Sequence, residues 1–208
     1  MAHPARHRSR REAAAATFLF LPALGAALGR AARDRAPRDG DAVAENPSLA
    51  RLVLVLRHGE KGAGEPSNPR LSAAGEARAR QLAEMLRAAQ PTLLLASEYH
   101  RTADTLAPLA EACGVAVTQL PAREPARWLA ALDRLPPGSL AVVCGHSNTV
   151  PDLAQRLGAV LVDLEDGPAG PQFKEPVHDR LVLIVRAVGG GAATALELRY
   201  GTPSGSDH

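Results

Sequence analysis

Five apolar residues in a row, Leu52-Val53-Leu54-Val55-Leu56, make a run of strand length with no polar alternation. Such a run fits a strand buried on both faces, as in a parallel sheet whose two sides are covered by helices. Comparable runs recur as Leu93-Leu94-Leu95-Ala96, Val115-Ala116-Val117 and Leu140-Ala141-Val142-Val143-Cys144. Helical segments separate them. Ser72 is placed to cap a helix over 73–89, with Leu82, Met85, Leu86 and Ala89 on one face and Gln90-Pro91 at its end. Further helices are expected over 102–113, ended by Gly114, over 125–132, with Pro125 in its first turn, and over 150–157. Two last runs, Leu181 to Val185 and Ala195 to Arg199, flank Gly189-Gly190-Gly191 and predict a terminal hairpin. The alternation predicts an α/β fold, a three-layer α/β/α sandwich with a mostly parallel central sheet.

The chain has 208 residues, 46% of them hydrophobic, enough for one such domain with tails. We expect the domain over 50–201 and a flexible tail over 202–208. Aromatic residues are only 3%, too few for a base-stacking platform. The net charge of +2 conceals an asymmetry. Residues 1–40 hold eight arginines and three acids, whereas the remainder has 16 bases and 19 acids. The folded body therefore lacks a broad positive field, and no nucleic-acid partner is expected.

Arg6, Arg8, Arg10 and Arg11 precede the apolar stretch Ala13 to Leu28, and small residues follow. These are the parts of an export signal, so 1–32 reads as an export signal or membrane tether and 33–49 as a linker. Any membrane association would run through this segment. The competing reading is a disordered basic leader with an apolar patch on a cytoplasmic protein. Cys113 and Cys144 are too few for a disulfide framework or a zinc site. They read as two buried free thiols, with a single bridge left open if the protein is exported.

In open α/β sheets, ligands bind beyond the carboxyl ends of the strands. The first strand is followed by Arg57-His58-Gly59-Glu60, the second by Ser97-Glu98-Tyr99-His100-Arg101-Thr102, and the fourth by Gly145-His146-Ser147-Asn148-Thr149. Two histidines and two arginines thus converge on one sheet edge. Phosphoryl transfer needs fixed cations for the charge on the phosphoryl oxygens, and guanidinium forks match those oxygens. A neutral imidazole beside the arginines keeps a lone pair for nucleophilic attack. No metal and no cofactor is required; a metal site built from His58, His146 and acids is the competing reading.

Leu54 to Glu60 resembles the opening motif of the histidine phosphatase superfamily, the phosphoglycerate-mutase-like proteins. Pro69-Arg70-Leu71-Ser72 followed by Gly75, Ser97 through Thr105, and Val143-Cys144-Gly145-His146-Ser147 resemble its later motifs in the right order. The resemblance spans about 51–200. It implies the family's three-layer fold and a phosphohistidine intermediate, with His58 as nucleophile and Arg57, Arg101 and His146 binding phosphate. Gly145 to Pro151 looks like a small bacterial branch, without a large cap insertion, whose members often carry an export signal. In the family the general acid usually follows the second arginine segment, which favours Glu124; Glu60 and Asp179 stand behind it. His178 and His100 are either pocket-lining or surface residues.

The expected activity is metal-independent hydrolysis of a phosphomonoester or a phosphorylated protein side chain, so the partner is a small phosphorylated substrate or a phosphoprotein. A mutase needs a larger lid, and only 44 residues separate Arg101 from His146. A non-catalytic phosphate-binding module is the reading from another class. Asp163 to Pro176, rich in Gly, Pro and acids, is a candidate loop over the site. The expected location is exported or periplasmic.

Overall fold

The structure is a computed structural model that describes residues 50–187 and 193–204. The chain divides into two units, Met1–Ala44 and Glu45–His208, and every described residue belongs to the second. The expected leader over 1–32, the whole linker over 33–49, the triple glycine and the last residues of the tail lie outside the described residues. Among the described residues, no helix is long and apolar enough to cross a membrane.

A six-stranded sheet forms the centre. Its strands are β1 (Arg51–Arg57), β2 (Leu93–Ser97), β3 (Val117–Leu120), β4 (Leu140–Gly145), β7 (Arg180–Arg186) and β8 (Thr194–Arg199). Their spatial order is β3-β2-β4-β1-β7-β8. The β1–β4, β2–β4 and β2–β3 pairs are parallel, and β7 adds to β1 and β8 to β7 antiparallel. The helices are α1 (Ala73–Leu86), α2 (His100–Cys113), α3 (Pro125–Asp133) and α4 (Thr149–Arg156).

The period of two along each strand sorts the apolar runs into two cores. Leu54, Leu56, Leu94, Ala96, Val142 and Cys144 face α1 and α2 through Leu82, Leu86, Leu106 and Leu109. Val53, Val55, Leu95, Ala141 and Val143 face α3 and α4 through Trp128, Leu132, Val150 and Leu153. Continuous apolar runs are required because both faces are covered, and each fully buried aliphatic side chain contributes about 1.5–3 kcal/mol. Crossovers from β1 to β2 to β3 place α1 and α2 on one face; the return from β3 to β4 places α3 on the other. The crevice that this reversal opens lies at the carboxyl ends of β1, β2 and β4.

Four expectations shift. The helix expected over 73–89 ends at Leu86, and a 3-10 turn over Arg87–Ala89 leads to Gln90 at φ 50°. Helix α2 starts at His100 rather than at 102, with Thr102 Oγ1 donating back to the Tyr99 carbonyl at 2.7 Å. The third strand is Val117–Leu120, displaced from Val115-Ala116-Val117, because its pairing with β2 puts Val117 opposite Leu94 and Leu120 opposite Ser97. Within Asp163 to Pro176 a small hairpin forms, β5 (Glu165–Gly167) with β6 (Gly170–Gln172). Cys113 and Cys144 are both free, with Cys144 buried in the sheet.

Candidate active site

Arg57 and Gly145 are opposed at the ends of β1 and β4, and the His58 amide extends the ladder by donating to the Gly145 carbonyl at 3.0 Å. His58 is thereby fixed by backbone at the sheet edge. A side chain at Gly145 would bring a Cβ to 2.7 Å from Thr149 Oγ1, the atom that accepts the His146 amide at 2.8 Å. The absence of a Cβ there lets α4 start directly behind His146. From the opposite side, the Gly59 amide donates to Thr105 Oγ1 at 2.9 Å, and that hydroxyl donates to the Arg101 carbonyl at 2.7 Å. One threonine on α2 thus ties the His58 loop to the turn that carries Arg101.

The hydrogen bonds specify the histidine tautomers. His58 Nδ1 lies 2.7 Å from the Gly59 carbonyl oxygen, which only accepts. Nδ1 therefore carries the proton, and Nε2 of the neutral ring holds the lone pair. His146 Nδ1 lies 3.3 Å from Arg101 Nη2, which only donates, so here Nδ1 accepts. His146 Nε2 then donates to Ser97 Oγ at 2.9 Å, and Ser97 donates to Thr102 Oγ1 at 2.8 Å. The His58 and His146 rings meet edge-on with centroids 5.4 Å apart.

Burial and positive neighbours keep both rings neutral. His58, 3% exposed, falls from 6.5 to about 2, through burial first and then the charges of Arg57, His146 and Arg101, against the opposing bond to Gly59. His146, 8% exposed, falls to about 4 through burial, Arg101 and Arg57, with Lys61 adding a smaller push. Arg101 sits in the first turn of α2, where the helix dipole adds to its positive field, and its guanidinium stacks 4.5 Å over the Tyr99 ring. Its Nε is buried without a hydrogen-bond partner. Arg57, 1% exposed, donates through Nη1 to the Val177 carbonyl at 3.0 Å and through Nη2 to Glu175, and its Nε is also unpartnered.

An open cleft gathers Arg57, His58, Arg101 and His146 at one edge. Glu124 is not among the residues lining it. It stands at the start of α3, 48% exposed, bonded to Arg127 at 2.6 Å. Glu60 accepts from Arg78 Nη2 at 2.6 Å; burial alone would raise its carboxyl, and the bonds from Arg78 outweigh that and hold it below the usual range. Asp179 is likewise held low: burial opposes ionisation, and Arg199 at 2.7 Å and the Ser204 amide overcome it. His178 lies buried behind the nucleophile position, donating from Nδ1 to the His58 carbonyl at 2.8 Å, and is lowered by burial and Arg57. His100 is exposed and outside the lining.

Sequence reasoning missed Lys61, Arg123 and Glu175 as cleft residues. Lys61 stands four residues after Arg57, so its nearness was readable. Glu175 had no local signal, since its partner Arg57 is 118 positions away. Among the described residues, no group of three His, Cys, Asp or Glu side chains is placed to hold a metal ion.

The site thus sets a neutral imidazole, with Nε2 free to accept, beside two arginines at the strand ends of an α/β/α sheet. The chain is similar to the histidine phosphatase superfamily: the model of branch 1 of that superfamily matches residues 53–124, from β1 through Arg101 to the start of α3. No curated protein matches the chain. Solved structures share the fold. The protein histidine phosphatase SixA complexed with tungstate superposes with a TM-score of 0.52 at 18% identity, over 71% of this chain and 96% of that one. A mycobacterial glucosyl-3-phosphoglycerate phosphatase gives 0.52 at 17% identity, over 70% and 97%. A second mycobacterial hydrolase gives 0.51 at 18% identity, over 76% and 93%.

Proposed function

We propose that the chain is a metal-independent phosphatase that works through a phosphohistidine on His58. The observation that carries this reading is the His58 tautomer: Nδ1 is committed to the Gly59 carbonyl, and Nε2 keeps its lone pair beside two arginines. Nε2 attacks phosphorus, the bond to the leaving oxygen breaks, and Arg57, Arg101 and His146 stabilise the charge on the transferring group. Water then attacks phosphorus, the P–N bond breaks, and inorganic phosphate leaves. Bound dianion reverses the field at His146, so its ring can take up a proton and donate to phosphate.

A mutase must hold a phosphorylated intermediate under cover. Residues 102–145 are taken up by the remainder of α2, by β3, α3 and β4 and by their short turns, which supports hydrolysis instead. The same cleft would serve a phosphomonoester or a phosphorylated protein side chain. It would also serve a non-catalytic phosphate-binding module, which the experiment excludes or supports. His58→Ala should abolish hydrolysis of an aryl phosphate and the acid-labile label trapped on the wild type. Wild-type turnover should persist in excess chelator, since the guanidinium groups supply the charge. Full activity in His58→Ala, or a chelator-dead enzyme revived by one divalent metal, would refute the mechanism.

A further inference from the structure

Glu175 is the one carboxylate among the described residues that line the cleft. It occupies a guanidinium hydrogen of Arg57 that a phosphate oxygen would take. The pair is asymmetric: the Arg57 side chain is 2% exposed and that of Glu175 is 54% exposed. The carboxylate therefore reaches inward from a solvent-facing loop. That loop is anchored on both sides. Phe173 is fully buried and its amide donates to the Ser147 carbonyl at 2.9 Å; the Val177 carbonyl accepts from Arg57 at 3.0 Å. Between these anchors, the Glu175 side chain has one strong partner, with His178 Nε2 farther away at 4.0 Å. The rival acids are committed elsewhere, Glu60 to Arg78, Asp179 to Arg199, and Glu124 to Arg127.

We infer that Glu175 holds the phosphate's place on Arg57 and, once substrate takes that place, becomes the proton donor to the leaving oxygen. The inference rests on the phosphatase reading. A phosphoryl dianion offers Arg57 a more highly charged acceptor than a carboxylate does, so binding releases Glu175. The freed carboxylate then faces the phosphoryl charge without its cation, and a proton from the solvent buffer accompanies substrate binding and joins it. As His58 Nε2 bonds to phosphorus and the P–O bond breaks, Glu175 gives that proton to the leaving oxygen. In the second step Glu175 accepts a proton from the attacking water as the O–P bond forms and the P–N bond breaks. His58 returns to its neutral form, and as phosphate leaves Glu175 gives its proton back to solvent and pairs again with Arg57, which restores the proton count.

The test uses the full chain, phenyl phosphate and 2,4-dinitrophenyl phosphate, and single-turnover measurement of the phosphorylation step. Glu175→Gln should slow phenyl phosphate by ~10²–10⁴-fold, the usual contribution of general acid catalysis. It should slow the dinitrophenyl ester far less, because that leaving group departs unprotonated. The same variant should bind inorganic phosphate more tightly than the wild type, since the neutral amide competes less for Arg57. This second readout also shows that the site has folded. Equal losses on both esters, or a leaving-group dependence that appears in Glu124→Gln and not in Glu175→Gln, would overturn the assignment. A wild type that hydrolyses neither ester would overturn the phosphatase reading itself.

Discussion

Acidification from pH 7 to pH 5 should destabilise this fold through its two site histidines. In the unfolded chain a histidine titrates near its ordinary 6.5, whereas folded His58 stays neutral to about 2 and His146 to about 4. Below 6.5 the unfolded state therefore binds protons that the folded state refuses, and stability falls as pH falls. At pH 5 both folded values still lie below the solution pH. Each ring then costs about 2 kcal/mol over that span, and the pair about 4 kcal/mol. That is a large part of the roughly 5–15 kcal/mol that holds a domain together. Burial leads both shifts, and the rings are almost fully enclosed, so solvent screening discounts little. His178 is lowered by burial and Arg57 and acts with the same sign. The depressed carboxylates Glu60 and Asp179 stay silent here, because their stabilisation is present above the ordinary carboxylate range and is lost only at lower pH. Urea unfolding at pH 7 and pH 5 measures the loss. His58→Asn and His146→Asn should each remove about 2 kcal/mol of the pH dependence. Inorganic phosphate should restore stability at pH 5, since a bound anion favours the imidazolium. A wild type that loses less than about 1 kcal/mol, or asparagine variants that lose as much as the wild type, would refute the reasoning.

Lys61 and Arg123 line the cleft with no ion-pair partner among the described residues. They should favour substrates with a second negative charge: 3-carboxyphenyl phosphate should show a higher kcat/KM than its methyl ester at low salt, and Lys61→Ala with Arg123→Ala should narrow that ratio, as should added salt. The leader over 1–32, proposed to export or tether the chain, should place the protein in the periplasmic or membrane fraction; recovery of the intact chain from the cytoplasm alone would refute it.

Much of the scaffold was legible because both faces of the central strands are covered. Burial on both faces demands unbroken apolar runs, and Leu52 to Leu56 and Leu140 to Cys144 could hardly be anything else. Pairing at the edge is weaker evidence. Strand β3 contacts one neighbour only, and two of its four residues, Thr118 and Gln119, are exposed, so the apolar residues just before it drew the prediction two positions early. The β5–β6 hairpin was invisible for a related reason. Glu165-Asp166-Gly167 and Gly170-Pro171-Gln172 hold no β-branched or aromatic residue; backbone pairing and one cross-strand bond, from Gln172 Nε2 to Glu165 Oε1 at 2.9 Å, form it.

The site divides along the same line. His58, Arg101 and His146 follow strands or open helices, so topology brings them together once the strands are recognised. A carboxylate's role is set instead by what it touches. Glu124 stands where a sequence comparison places an acid, yet its charge is spent on Arg127, one turn along α3. Glu60 stands two residues after His58 in sequence, but it turns to Arg78, which also donates to the carbonyls of Tyr200 and Thr202 and so fastens the C-terminal segment to α1. Glu175 reaches the cleft from a loop that Phe173 and Val177 anchor, the one to the Ser147 carbonyl and the other to Arg57. Three acids of similar intrinsic strength thus acquire different work through arginines that lie 3, 18 and 118 residues away. Only the first of those separations falls within a helical turn, where spacing alone can be read as contact. The other two require the folded sheet, and the acid that reaches the cleft belongs to the longest.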